Sequence, residues 1–198
     1  MKNILKFLII FILMAVIGNP ATVFAQNGSR TEAYFKTLSS GNFHMKAKMK
    51  MGNTETTIET YVKGESTASV ISAQGETSRV IQKDKKMYTI IDSAKMVIVT
   101  AMNNAPDPGS VKTNGMRFTG SGTAGFNGKN LPYDEYSGAN NVKVQIFTDG
   151  NSLAGIRNTV SGQNSVDLII LALDQNIPNN VFDIPSGYMI QDMSGFGR

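Results

Sequence analysis

Cysteine is absent from all 198 residues, and histidine occurs once, at position 44. The first absence excludes disulfides, thiolate metal sites, a cysteine nucleophile and a lipid-modified N-terminal cysteine. The second leaves His44 without a partner imidazole for a zinc site, and carboxylates alone would favour calcium. The acidic residues fall in no calcium-loop spacing. Asp134 and Glu135 are adjacent on a predicted strand, so they point to opposite faces and cannot act as an acid/base pair. Serines are plentiful, yet none has an identifiable base. With this vocabulary the chain reads as a binding protein and not an enzyme, and no cofactor is implied.

A long hydrophobic run is also missing. The apolar stretch Phe7 to Ile17 follows Lys2 and Lys6 and is broken by Gly18, Asn19 and Pro20. Crossing a membrane as a helix takes about 20 apolar residues. The run is too short for that and fits the core of an export signal, with Val23-Phe24-Ala25 offering small residues at −3 and −1. Residues 1–25 are therefore expected to be a signal peptide cut before Gln26, and residues 26–198 a single exported domain, periplasmic or extracellular. Removing the signal leaves 173 residues, enough to bury a core without staples. Residues 1–25 hold two lysines and no acid, so the formal charge falls from +4 to +2. That is too weak to argue for nucleic acid.

Periodicity supplies the fold. Residues 30–39 place Ala33, Tyr34 and Leu38 at helical spacing, which predicts one short amphipathic helix stopped at Gly41. From there the period is two. In residues 43–51, Phe43, Met45, Ala47, Met49 and Met51 share one face and His44, Lys46, Lys48 and Lys50 the other. His44 thus reads as a solvated residue. Further strands are expected at 54–63, 66–73, 77–83, 86–92 and 95–100, then at 117–126, 130–137, 142–148, 152–160, 165–173 and about 187–192. The turn residues between them indicate an antiparallel meander. Residues 101–116 interrupt it with two prolines, two glycines and three asparagines. Long irregular inserts inside compact domains are usually functional or mobile.

Three local patterns bear on function. Gly120, Gly122 and Gly125 match the spacing of a dinucleotide-binding loop, but that chemistry needs a helix after the glycines to meet the pyrophosphate. Here an Asn127-Gly128 turn and another strand pattern follow, so the glycines read as sites of bending or close approach. The lysine runs 46/48/50 and 83/85/86 read as solvated sheet exterior that discourages edge pairing. They would address an anionic lipid surface only if they converged in space. Nine of the eleven methionines lie beyond Met14. Methionine is flexible and polarizable and suits a surface adapting to varied apolar ligands, though an ordinary core can also use it.

The chain ends Asn180-Val181-Phe182-Asp183-Ile184-Pro185-Ser186-Gly187-Tyr188, and a segment from Gly122 to Lys129 precedes a strand bearing Tyr133 and Tyr136. Together with the export signal, one helix and two runs of strands around an insert, this resembles the LolA/LolB-like superfamily of periplasmic lipoprotein carriers. The resemblance implies a mostly β, curved antiparallel half-barrel of about eleven strands. Its apolar face would be covered by the N-terminal helix and a lid-like insert at 101–116, and would receive acyl chains. Residues 43–63 contain no arginine, so the arginine by which such carriers hold the lid shut has no counterpart here.

The expected function is therefore non-enzymatic binding of a lipid or another hydrophobic small molecule. The ligand-binding residues would be Met45, Met49 and Met51 from the first strand and Ile58 and Val62 from the second, joined by Tyr88, Ile90 and Phe118. The alternative is an envelope or extracellular protein-interaction module with a filled core, contacting a protein partner through a sheet edge or the insert.

Overall fold

The computed structural model describes residues 31, 34, 37, 38, 40–51, 54–102, 117–138, 142–160 and 165–194. The expected signal peptide lies outside the described residues. So does all of the 101–116 insert except Ala101 and Met102. Of the helix expected over 30–39, only Thr31, Tyr34, Thr37 and Leu38 are described; Tyr34, Thr37 and Leu38 have helical backbone, and the other positions lie outside the described residues.

The alternating segments all form strands. They are β1 (Asn42–Met51), β2 (Thr54–Lys63), β3 (Ser66–Ala73), β4 (Glu76–Lys83), β5 (Lys86–Ile91) and β6 (Met96–Ala101). After the insert come β7 (Arg117–Phe126), β8 (Lys129–Ser137), β9 (Val142–Asp149), β10 (Ser152–Val160), β11 (Val166–Asp174) and β12 (Met189–Asp192). The turns explain the short spacing. Gln74 and Gly75 have φ of 53° and 81°, and Asn127 and Gly128 have 47° and 77°. Two successive positive φ values make the hairpin turn whose twist matches that of its strands.

All twelve belong to one open, curved sheet in the order β12-β6-β5-β4-β3-β2-β1-β11-β10-β9-β8-β7. Two meanders, β1–β6 and β7–β11, are thus joined where β1 pairs with β11. The sheet is mixed and not wholly antiparallel, because β12 runs parallel to β6, with Met189 beside Met96 and Asp192 beside Val99. The chain crosses the face of the first meander after β11 and re-enters its edge in the same direction as β6.

Cross-strand register fixes which residues share a face. Phe43, Met45, Ala47 and Met49 pair with Val62, Thr60, Ile58 and Thr56. This side, here the methionine face, carries one buried cluster of Leu38, Phe43, Met45, Tyr136, Val144, Ile146 and Leu153. A second follows along it, with Ala47, Met49, Ile58 and Leu168. The opposite face is apolar too. In the first meander it buries Ala68, Ile81, Ile90, Val97 and Val99 beneath Val181, Phe182, Ile184 and Tyr188 of the returning chain. That return is a strap tied at two points, the second braced by an ion pair. Lys83 Nζ donates to the Phe182 carbonyl at 2.8 Å, Tyr188 Oη donates to Asp92 Oδ1 at 2.9 Å, and Arg79 forks onto the same Asp92. In the second meander the strap-side cluster is Phe126, Leu131, Phe147 and Ile169. There the Phe126 and Phe147 rings stack at 4.3 Å, with the Arg157 guanidinium over both.

The glycine-rich β7 is strand throughout, and the turn Asn127-Gly128 follows it directly. After the turn the chain continues directly into β8, with no helix following the glycines. Gly122 instead leaves room for the Tyr133 ring, whose oxygen would lie 2.7 Å from an added Cβ. Gly155 plays the same part under Phe126, and there a Cβ would also lie 2.5 Å from the backbone oxygen of Leu168. A side-chain end can swing away but a paired strand cannot. Gly155→Ala is therefore expected to lower stability by about 1–3 kcal/mol. Gly122→Ala should cost clearly less, and urea unfolding of the two variants side by side makes the comparison.

Candidate functional site

The methionine face gathers most of the expected ligand residues. Met45, Val62 and Phe118 meet in the cluster around Tyr136 and Val144. Met49 and Ile58 meet in the adjoining cluster with Ala47 and Leu168. Met51 pairs with Thr54 at the end of the same ladder. The face continues across the strand junction, since Met45 and Met49 pair with Leu173 and Leu168 of β11.

Tyr88 and Ile90 do not belong to it. Tyr88 pairs with Ile81 and Val99, and Ile90 with Arg79 and Val97, which places both on the strap side. The correction follows from parity. Counting alternation back from Ala47 and Ile58 through two-residue turns puts Met87, Thr89 and Ile98 on the methionine face instead. The apolar residues of β5 are on both faces, and hydropathy alone does not say which face is which.

The methionine face is not uniformly apolar. Across β2, β3 and β4 it buries Thr56, Thr60, Thr67, Ser69 and Gln82. Thr60 Oγ1 and Ser69 Oγ lie 3.2 Å apart across the β2–β3 pair. In the second meander it holds the buried Asp134, which accepts from Ser121 Oγ at 2.7 Å and Thr31 Oγ1 at 3.3 Å. Thr31 also lies 3.2 Å from Tyr136 Oη, tying the segment before β1 to β8. Glu135 faces the other way, toward Lys143 and Gln145, as adjacent strand residues must. Among the described residues no second carboxylate is bonded to Asp134.

The strap side carries a polar node at the junction of the meanders. His44 on β1 is not a solvated residue, because its side chain is only 13% exposed. Its Nε2 lies 3.0 Å from Glu59 Oε1 on β2, and its Nδ1 lies 3.3 Å from both carboxylate oxygens of Asp174 on β11. The ring stacks on Tyr61 at 4.6 Å, and Tyr61 Oη donates to the same Glu59 oxygen at 3.0 Å. Sequence spacing could not find this node, because Asp174 lies 130 residues away. The lysines beside it are engaged as well. Lys46 pairs with Glu59, and both Lys48 and Lys50 pair with Glu55. The three lysines thus share two glutamates. The carboxylates bind opposite ring nitrogens, so the node is a clasp and not a chelate. Among the described residues no group of three or more such side chains is arranged to hold a metal.

Comparison with known proteins adds the fold. No family profile matches the chain, and no curated protein matches it in sequence. Among solved structures it is similar to an uncharacterized conserved protein from Thermus thermophilus. The identity is 9% over 82% of this chain and 94% of that one, with a TM-score of 0.54. It is also similar to a LolA superfamily protein from Nitrosomonas europaea, at 10% identity over 73% of this chain and 90% of that one, TM-score 0.37. The first likeness supports a shared fold and says nothing of activity.

Burial, and then the bond to Glu59, pushes the Tyr61 hydroxyl up to about 12. Because this value is raised in the folded chain, the stability it contributes is complete below pH 10 and is lost as pH rises toward 12. An absorbance titration of tyrosinate should lose one late-titrating ring, the one near 12, in Tyr61→Phe. A titration in which that variant leaves the late phase unchanged overturns the assignment.

Proposed function

We propose that this chain is an exported, non-enzymatic protein that binds a lipid or another hydrophobic molecule on the methionine face. One observation carries the reading: a single sheet presents a continuous apolar seam made from both meanders, with Met45 and Met49 at its centre and Leu168 and Leu173 beside them. Every described strand belongs to that same sheet, so no second sheet packs against the seam among the described residues. Methionine at the centre suits a ligand of variable shape, because its unbranched chain re-packs at little cost. Met45, Met49, Ile58, Val62 and Phe118 are the side chains assigned to the ligand. The sequence resemblance to LolA-like carriers points the same way.

A second reading has its own observation. The sheet ends in β12, where Met189 and Ile190 are 64% and 62% exposed and Met193 is exposed as well. An apolar edge strand with unpaired backbone groups is suited to strand addition by a protein partner, such as an envelope protein.

Native mass spectrometry of the protein purified gently from its own host, followed by organic extraction, decides between the two. The binding reading expects a copurifying lipid-sized species. It also expects affinity to rise with chain length, by at most about fourfold per added CH₂. A clean apo mass, with no uptake of added C12 to C18 lipids, overturns it in favour of the edge.

A further inference from the structure

We propose that Met87, Met102 and Met193 form a copper(I) site at the rim of the sheet, where three thioether sulfurs bind one soft monovalent ion. The site is separate from the apolar seam on β1 and stands whether or not a lipid binds there.

The methionines beyond Met14 fall into two groups. Met45, Met49 and Met51 lie on β1, while Met87, Met96, Met102, Met189 and Met193 lie on β5, β6 and β12 or at their ends. Packing accounts for Met45 and Met49, which are buried. It does not account for the second group. Met189 and Met193 are 64% and 39% exposed, and Met87, Met96 and Met102 are half-buried. None of the five belongs to a buried cluster of the described residues. Edge strands are ordinarily guarded by lysine or another charge. This edge instead keeps flexible sulfur side chains in contact with water.

Register brings three of them around one short residue, Thr100. Met87 of β5 pairs with Thr100 of β6. In the parallel ladder Asp192 lies beside Val99, and Met193 N donates to the Val99 carbonyl at 2.8 Å. That bond carries the ladder one step further and sets Met193 beside Thr100 on its other flank. Met102 N donates to the Lys85 carbonyl at 2.9 Å, so the β5–β6 ladder also continues past Ala101. Met102 therefore stands two residues beyond Thr100, on the same face. Adjacent strands are about 4.8 Å apart and diagonal neighbours about 7–8 Å, which long side chains span. Methionine is unbranched and freely rotatable, so the three sulfurs can converge over the smaller threonine without moving the backbone.

The donor set decides the ion. Thioethers are soft and uncharged and favour Cu(I), whereas zinc, calcium and magnesium take nitrogen, thiolate or oxygen. Methionine is the one soft ligand this chain can offer, because it has no cysteine and its single histidine is held between Glu59 and Asp174. Lys86 and Asp192 adjoin Met87 and Met193 but alternate to the opposite face, so no strand lysine stands against the ion. Met96 and Met189 pair four positions away along the same strands. They supply two sulfurs and not three, and serve as an internal control.

The test is an anaerobic titration of the purified protein with Cu(I) against a chromogenic Cu(I) chelator. One ion retained per chain is expected, with Zn(II) failing to displace it. Losing even an outer partner of a ligand costs about 10–100-fold in metal affinity, so Met193→Leu is expected to cost at least about tenfold. That change nearly conserves volume at an exposed position, so the fold is kept. The double variant Met96→Leu and Met189→Leu should retain copper as the parent does. In methyl NMR of the unaltered protein, Ag(I) should shift the Met87, Met102 and Met193 signals and leave Met45 and Met49 in place. No retained Cu(I), retention untouched by Met193→Leu and Met87→Leu, or shifts centred on Met96 and Met189 overturns the proposal.

Discussion

The pairing of β1 with β11 is the interaction on which the rest of the structure depends. It joins segments about 130 residues apart and turns two separate meanders into one sheet. Neither meander presents the whole methionine seam alone. Met45 and Met49 come from one, and Leu173 and Leu168 from the other. The same ladder brings Asp174 to His44 on the opposite face, so seam and clasp are two sides of one register. A slip of one residue would send the lysines of β1 into the apolar seam and Met45 to the strap side. A bulge between Lys46 and Ala47 lies inside this ladder and lets both halves keep their facing.

A single sheet with two apolar faces has to cover both. On one side of the first meander the chain does so itself: the strap from Val181 to Tyr188 plugs Ile81, Ile90 and Val97 and is tied through Lys83, Arg79 and Asp92. The terminal pattern that carries the family resemblance is therefore made of packing residues. Phe182, Ile184 and Tyr188 are anchors, and Gly187, with φ of 77°, supplies the bend before β12. The strap fills one face of the first meander, and the methionine face on the opposite side buries its apolar residues together with Thr56, Thr60, Thr67 and Ser69.

The strands were readable because period-two alternation and turn chemistry are local. The hairpins at Gln74-Gly75 and Asn127-Gly128 needed nothing beyond their own residues. The facing of β1 and β2 was equally plain, since Met45, Met49 and Ile58 alternate with lysines, threonines and acids. It became unreadable at β5, where Tyr88 and Ile90 are as apolar as Met87 and Ile98 and both faces are buried. The parallel addition of β12 was hidden as well, because a strand of 4 residues carries no mark of direction. His44 looked solvated for a similar reason: its strand neighbours are lysines, whereas its actual neighbours come from β2 and β11.

The sequence by itself determined the β class, the strand boundaries, the side of β1 that is apolar, and the lack of residues for thiol or zinc chemistry. These follow from composition and from the pleat, which each segment carries within itself. Tertiary structure decided that the chain's own strap fills one apolar face of the first meander. It also decided that β12 joins β6 in parallel, and that a lone histidine becomes a clasp between two meanders. Those outcomes depend on register between strands far apart in the chain, and register is a property of the assembled sheet and not of any one strand.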